Sequence, residues 1–255
     1  MKDIILNKVK EIEEKENVKI LYCVEIGSHA QGYASSYSDY DVRFVYIRPT
    51  EYYLSFDKKQ DVIEYEFDDI YDICGWDIAK TLPLLYKSNI NIFEWLQSTV
   101  VYYESEHWQS VRDICDKYFS SKNALYNYLN LAKQNVREYL SDTKVKLKKY
   151  FCILKPIFCC KWIMEYGTKP PFLFSDLYEK YSDGALKNTI ENLLQVKINS
   201  NEVIYGNHYS IIDEFINEEI LKVENFLANY ENKNFHSIDE LDRLFVDLLK
   251  KLWEF

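Results

Sequence analysis

The pattern of apolar and polar positions changes character along this chain. Residues 2–16 set Ile5, Val9 and Ile12 at helical spacing among charges, which predicts an amphipathic helix. Residues 18–26, VKILYCVEI, form a nearly continuous apolar run ending at Gly27, the pattern of a buried strand. The small and polar GSHAQGYASSYS suits a tight turn and a short helix. YDVRFVYI over residues 40–47 predicts a second strand, ended by Arg48-Pro49. Apolar positions at Val62, Ile63, Tyr65 and Phe67, then at Ile70, Tyr71 and Ile73, predict strands over 61–67 and 70–74. From Trp76 to Gln97 the spacing turns helical through Ile78, Leu82, Leu85, Ile92, Phe93 and Leu96, with an interruption at Asn89. Beyond residue 120 it is helical throughout, anchored at Leu125, Tyr128 and Leu129, then at Phe151, Ile153 and Leu154. Pro156 is expected to kink or restart its helix. Lys169-Pro170-Pro171 breaks the pattern, which resumes over 172–228 and 238–254.

These elements predict an α+β protein. Strands and helices together occupy residues 1–118, and an α-helical domain is expected over 119–255. Only 6 Gly and 5 Pro in 255 residues also favour long helices over a many-turned β-sandwich. No run approaches the roughly 20 apolar residues of a membrane span. The charged start MKDIILNKVKEIEEKE does not read as a signal peptide. The six cysteines (Cys23, Cys74, Cys115, Cys152, Cys159, Cys160) show no CxxC or Cys/His ligand spacing. A cytoplasmic protein with reduced thiols and no zinc is therefore expected.

Charge refines this picture. The formal net charge is −10, which argues against a protein that coats nucleic acid generally. Yet residues 122–169 hold ten Lys/Arg against three acids, a local +7 that leaves −17 for the remainder. A basic island in an acidic chain suggests one local site for a polyanion, or a solvated helix face.

The chemistry concentrates in one segment. Gly27-Ser28 follows the first strand, and Asp39-Tyr40-Asp41 opens the second. Strand periodicity puts Asp39 and Asp41 on one side. Two such carboxylates repel each other unless a divalent cation lies between them, and Mg²⁺ takes one or two protein carboxylates plus phosphate oxygens and water. Glycine lets a ligand approach the backbone closely, and a helix start attracts phosphate. Arg43 shares the carboxylate side and is placed to bridge the aspartates or touch phosphate. His29 is expected as a hydrogen-bonded loop residue, and Trp76, Trp95 and Trp162 as core.

The run IGSHAQGYASSYSDYDVRFVYI resembles the signature of the DNA polymerase β-type nucleotidyltransferases: Gly-Ser, about ten residues, then Asp-x-Asp between apolar strands. DICGWDIAKTLPLLYKSNINIFEWL and VKLKKYFCILKPIFCCKWIMEYGTKPPFLFSDL are similar to the RNA-repair-associated, RlaP-like branch. The resemblance thus extends over roughly residues 18–230. It implies a polymerase β-like palm, a mixed sheet with helices over residues 1–118, and transfer of a nucleoside monophosphate from an NTP, ATP being the expected donor and RNA the expected acceptor. It also implies two Mg²⁺ ions, with Mn²⁺ as an alternative. A third carboxylate is required, for which Asp72 is chosen over Asp77, Glu64 and Glu66. The resulting site is Asp39, Asp41 and Asp72 for catalysis and metal, with Gly27, Ser28, Arg43, Lys148 and Lys155 for nucleotide phosphates. Lys144 lies on the same helix side as Lys148 and Lys155, and Lys80 and Lys87 follow the third acid. Lys155 stands where the branch usually carries arginine, so a point charge replaces a planar fork there. An antitoxin-like enzyme that nucleotidylates protein or small molecules is the alternative, as is a nucleotide- or RNA-binding protein without turnover.

Overall fold

The structure, a computed structural model, describes residues 1–57, 59–68, 70–200, 204–230 and 237–253, and the side chains of 66–68 fall outside it. The chain forms two compact units. The first comprises Met1–Ala30, Asp39–Tyr118 and Phe235–Phe255, and the second comprises Gln31–Ser38 and Phe119–Asn234.

The first unit is built on a five-stranded mixed sheet. Its elements begin with α1 (Lys2–Glu16), β1 (Lys19–Glu25), the single turn α2 (Ser28–Gln31), β2 (Tyr40–Ile47) and α3 (Thr50–Leu54). They continue with β3 (Val62–Asp68), β4 (Tyr71–Asp77), α4 (Ile78–Tyr86), α5 (Ile90–Gln97), β5 (Val101–Glu104) and α6 (Gln109–Cys115). The strand order is β3-β4-β2-β1-β5. Only β2 and β4 run parallel, and the other neighbours are antiparallel. α+β is thus the observed class.

Helix α1 ends as its sequence dictates. Asn17 takes the left-handed conformation at φ 48° and caps the last turn. Its apolar stripe, Ile5, Val9 and Ile12, packs on a sheet face made by Ile20, Cys23, Val42, Phe44, Tyr46, Ile63 and Ile73. Each such side chain, fully buried, contributes about 1.5–3 kcal/mol. Gly75 is required where it stands, because a Cβ there would lie 2.1 Å from the ring of Phe44, its register partner on β2. The opposite face is apolar toward the ends of β2 and β4. There Trp76 meets Trp95 of α5 at 4.4 Å between ring centres, and Tyr22 stacks on Trp108 at 5.0 Å.

Two expectations change here. β4 extends through Trp76 to Asp77, so Trp76 is a strand residue and the helix begins one residue after Asp77. The strand β5, pairing with the outer edge of β1, was not anticipated from the pattern. Asn89 does interrupt the helical run, because its side chain accepts from the N–H of Asn91 and starts α5.

The second unit is helical: α7 (Ser121–Tyr139), α8 (Lys149–Tyr166), α9 (Phe174–Tyr181), α10 (Gly184–Asn199) and α11 (Ser210–Ala228). Helix α8 is apolar on nearly all sides and is the buried centre of the unit, packed by α7, α9 and α11. Pro156 lies inside it, and the helix runs from Lys149 to Tyr166 without restarting. A two-stranded ribbon, β6 (Val145–Lys146) with β7 (Tyr205–Gly206), interrupts a region expected to be wholly helical. The last helix, α12 (Asp239–Trp253), belongs to the first unit and packs against α4. Among the described residues no helix is long and apolar enough to cross a membrane.

Candidate active site

The parallel pairing of β2 and β4 brings Asp41 directly beside Asp72. Partners in register share a sheet face, so both carboxylates leave on the same side as Arg43 and Cys74. The Arg43 guanidinium lies between them. It donates to Asp72 Oδ2 at 2.8 Å and to the Asp72 carbonyl at 2.9 Å, and lies 3.6 Å from Asp41 Oδ1. Arg43 thus bridges Asp41 and Asp72. The Asp72 side chain is 56% exposed against 28% for Asp41, so Asp72 is the carboxylate more open to a reacting group.

The glycine turn abuts this dyad. A Cβ built on Gly27 would lie 1.8 Å from Asp41 Oδ2, so only glycine lets the turn come so close. Ser28 and His29 open the single turn α2, whose Ala30 N–H returns to the Gly27 carbonyl at 3.1 Å. The N–H of Gly27 itself points inward to Glu25, at 3.1 Å. His29 stacks on Tyr40, between the aspartates in sequence, at 4.0 Å and 5°. Tyr40 stacks in turn on Tyr71 of β4.

Asp39 immediately precedes β2 and is exposed. Its charge acts on Asp41. Burial first, then the charge of Asp39, pushes the Asp41 carboxyl up to about 6, against the opposing pull of Arg43. An excess of negative charge around a half-buried carboxylate is what a divalent cation would relieve. The donors are all hard oxygens, the set Mg²⁺ prefers. Among the described residues no three His, Cys, Asp or Glu groups converge into a ready-made cage. Asp41 beside Asp72, with the charge of Asp39 acting on Asp41, is a donor set of the kind that suits an ion keeping several waters and substrate oxygens among its ligands.

The other acids differ in situation. Asp77 is buried, accepts from the Ala79 N–H at 2.8 Å as the N-cap of α4, and takes the Tyr53 hydroxyl at 2.9 Å. Glu64 is exposed on β3, in register with Cys74. The Glu66 side chain lies outside the described residues.

The basic candidates are scattered. Lys80 pairs with Asp61 at 3.0 Å, and Lys87 is the exposed C-cap of α4. Lys148, Lys155 and Lys144 belong to the second unit. The shared helix side expected for these three is not formed, because Lys144 precedes β6 and Lys148 is the N-cap of α8, leaving only Lys155 within the helix. Lys144 and Lys148 are exposed, and the Lys155 ammonium lies 5.0 Å over the ring of Phe172. Two cations of the basic island are paired locally, Lys133 with Glu224 at 2.6 Å and Lys161 with Glu219 at 2.8 Å.

Sequence reasoning missed Glu25. It is fully buried at the end of β1, yet its carboxylate touches both halves of the motif. The available signal was a lone acid in an otherwise apolar run, since buried charges are rare unless held by partners.

The uncharacterized protein YcgL of Bacillus subtilis (strain 168) is 38% identical over 256 residues, which span 100% of this chain and 98% of that protein. A crystal structure of a nucleotidyltransferase-like protein from Exiguobacterium sibiricum 255-15 aligns over 95% of this chain and 78% of its own, at 9% identity and a TM-score of 0.30, a likeness too slight to carry weight. The model of RlaP, described as the RNA repair pathway DNA polymerase beta family, matches residues 1–247. The chain belongs to that family.

Proposed function

We propose that this protein is a nucleotidyltransferase that moves a nucleoside monophosphate from an NTP to an acceptor hydroxyl of RNA, releasing pyrophosphate. The observation that carries the reading is Asp41 in register with Asp72, with Gly27 pressed against Asp41 Oδ2. Asp39, Asp41 and Asp72 would hold a pair of Mg²⁺ ions, or Mn²⁺, which when bound neutralise the triphosphate and make the acceptor hydroxyl more acidic. Ser28 offers its hydroxyl to a phosphate oxygen beside the glycine turn. Arg43 balances the charge of Asp41 and Asp72. Asp72, the more exposed acid, takes the proton of the acceptor hydroxyl. The acceptor oxygen then bonds to the α-phosphorus as the bond to pyrophosphate breaks. Positioning and charge neutralisation supply most of the acceleration.

The RNA assignment is supported by the family and by the exposed Lys144 and Lys148 of the helical unit. ATP is the expected donor, in a protein we place in the cytoplasm. The purified chain, Mg²⁺ and each α-labelled NTP are to be incubated separately with RNA, protein and small-molecule pools. Label on RNA supports the proposal, whereas label only on protein or a small molecule replaces the acceptor. Nucleotide binding without pyrophosphate release from any pool would refute transfer and leave a binding protein.

A further inference from the structure

Glu25 is 0% exposed, and its carboxylate is surrounded by donors. Oε1 accepts from the Gly27 N–H at 3.1 Å and from the Asp41 N–H at 2.9 Å, while Oε2 accepts from the Tyr102 hydroxyl at 3.0 Å. The residue is itself pinned, since its N–H donates to the Val100 carbonyl at 3.0 Å and its carbonyl accepts from the Ser98 hydroxyl. Register with Val42 sends the Glu25 side chain out on the α1 face, opposite the face of Asp41. Glu25 therefore does not face the proposed substrate side. It holds the backbone from the other side of the sheet.

Burying a carboxylate is costly, and burial raises the pKa of Glu25 against the pull of its three hydrogen bonds. An apolar residue would fill a core position at less cost. What it could not do is accept two backbone N–H groups from segments 14 residues apart in sequence at one oxygen. The two segments are the glycine turn and the aspartate strand, the two halves of the proposed site.

We propose that Glu25 is a positioning residue, an anchor that fixes Gly27 and Asp41 relative to one another so that the Asp41 carboxylate stays aimed beside the turn. Its effect on turnover rests on the nucleotidyltransferase reading. Its effect on the backbone does not.

The test compares the full-length wild type with Glu25→Leu and Glu25→Gln. Leucine keeps bulk and removes the acceptors. Glutamine keeps one oxygen for both N–H groups and turns an amide toward the Tyr102 hydroxyl oxygen, which can accept. Amide hydrogen exchange resolved by NMR and steady-state kinetics with NTP are measured together. Glu25→Leu is expected to lose protection selectively at Gly27 and Asp41, with kcat lower by about 10- to 100-fold and a smaller change in nucleotide KM. Glu25→Gln is expected to keep both protections and to stay within about threefold of wild-type kcat.

Wild-type kcat in Glu25→Leu, equal loss of protection across the whole sheet, or a glutamine variant as impaired as leucine would each overturn the proposal. Should Glu25→Leu not fold, Tyr102→Phe removes the donor at Oε2. Faster exchange at Gly27 and Asp41 then supports the anchor, and unchanged exchange overturns it. If wild type transfers nothing from any NTP, the proposed function fails by itself. The exchange pattern still decides whether Glu25 ties the two segments.

Discussion

Asp41 and Asp72 stand side by side on parallel strands, and the Arg43 guanidinium, between their carboxylates, lies closer to Asp72. Neutralising either acid while keeping its shape should remove transfer and spare the fold. Asp41→Asn and Asp72→Asn, with Asp39→Asn beside them, are each expected to lose several kcal/mol of charge stabilisation. That corresponds to about 10³-fold in kcat. Circular dichroism and melting temperature should stay near wild type. Full activity in a folded Asp41→Asn protein would remove the proposed site.

Arg43 gives a second test, based on heat rather than turnover. Arg43→Ala leaves the acids without their cation, at a cost near 1 kcal/mol given how exposed Asp72 is. Millimolar Mg²⁺ should then raise the melting temperature of the variant more than that of wild type, because ligand stabilisation follows affinity. Equal shifts would show that Arg43 and the ion do not share the same charges.

Gly27→Ala should be damaging out of proportion to its size. The added methyl would fall 1.8 Å from Asp41 Oδ2, so the carboxylate or the turn must move. A stability cost of about 1–3 kcal/mol is expected. Activity should fall further than that loss of stability explains. Kinetics at a temperature where the variant is fully folded separate the two effects.

Asp77 sets a pH dependence unrelated to catalysis. Burial pushes its carboxyl up to about 6, above the ordinary value of 3.8, although the Ala79 N–H and the Tyr53 hydroxyl favour its charged form. The folded state therefore binds this proton more tightly than the unfolded chain. The stability this provides is present below about pH 4 and is lost as pH rises to about 6. Asp77→Asn keeps a capping oxygen and should flatten that part of a denaturation-versus-pH curve. Asp77→Ala removes the cap and should cost about 1 kcal/mol or more.

The helical unit makes its own prediction. Lys144 and Lys148 are exposed, unlike the paired Lys133 and Lys161. Changing Lys144 and Lys148 to Gln together should weaken RNA binding and shallow its salt dependence, by about 0.7 in the log–log slope per lost contact. Lys133→Gln should leave the slope unchanged. Filter binding from low to moderate salt distinguishes them.

Much of this architecture is legible from local pattern. The alternation in YDVRFVYI places Arg43 with Asp41 on one face, and α1 presents the stripe that its Ile5, Val9 and Ile12 predict. Distant pairing is less accessible. That Asp72 lies opposite Asp41 depends on the parallel alignment of strands 31 residues apart, which no periodicity encodes. Trp76-Asp77 reads as a helix start because Asp77 does cap one, yet the chain stays extended up to that residue. The ribbon of β6 and β7 has two residues per strand, too few to show alternation. Glu25 is hidden for another reason. At the end of an apolar run an acid looks like the point where a strand reaches solvent, and only its partners reveal it as interior.

The helix α12 carries one more consequence. Lys19, at the start of β1, donates to the Leu252 carbonyl and sets its ammonium 4.7 Å over the ring of Trp253. During synthesis, the sheet is therefore translated long before the segment that packs beside it, with the whole helical unit emerging in between. Vectorial synthesis leaves α4 without its α12 neighbour for most of that interval, and the contacts of α12 are among the last that the sheet unit can close.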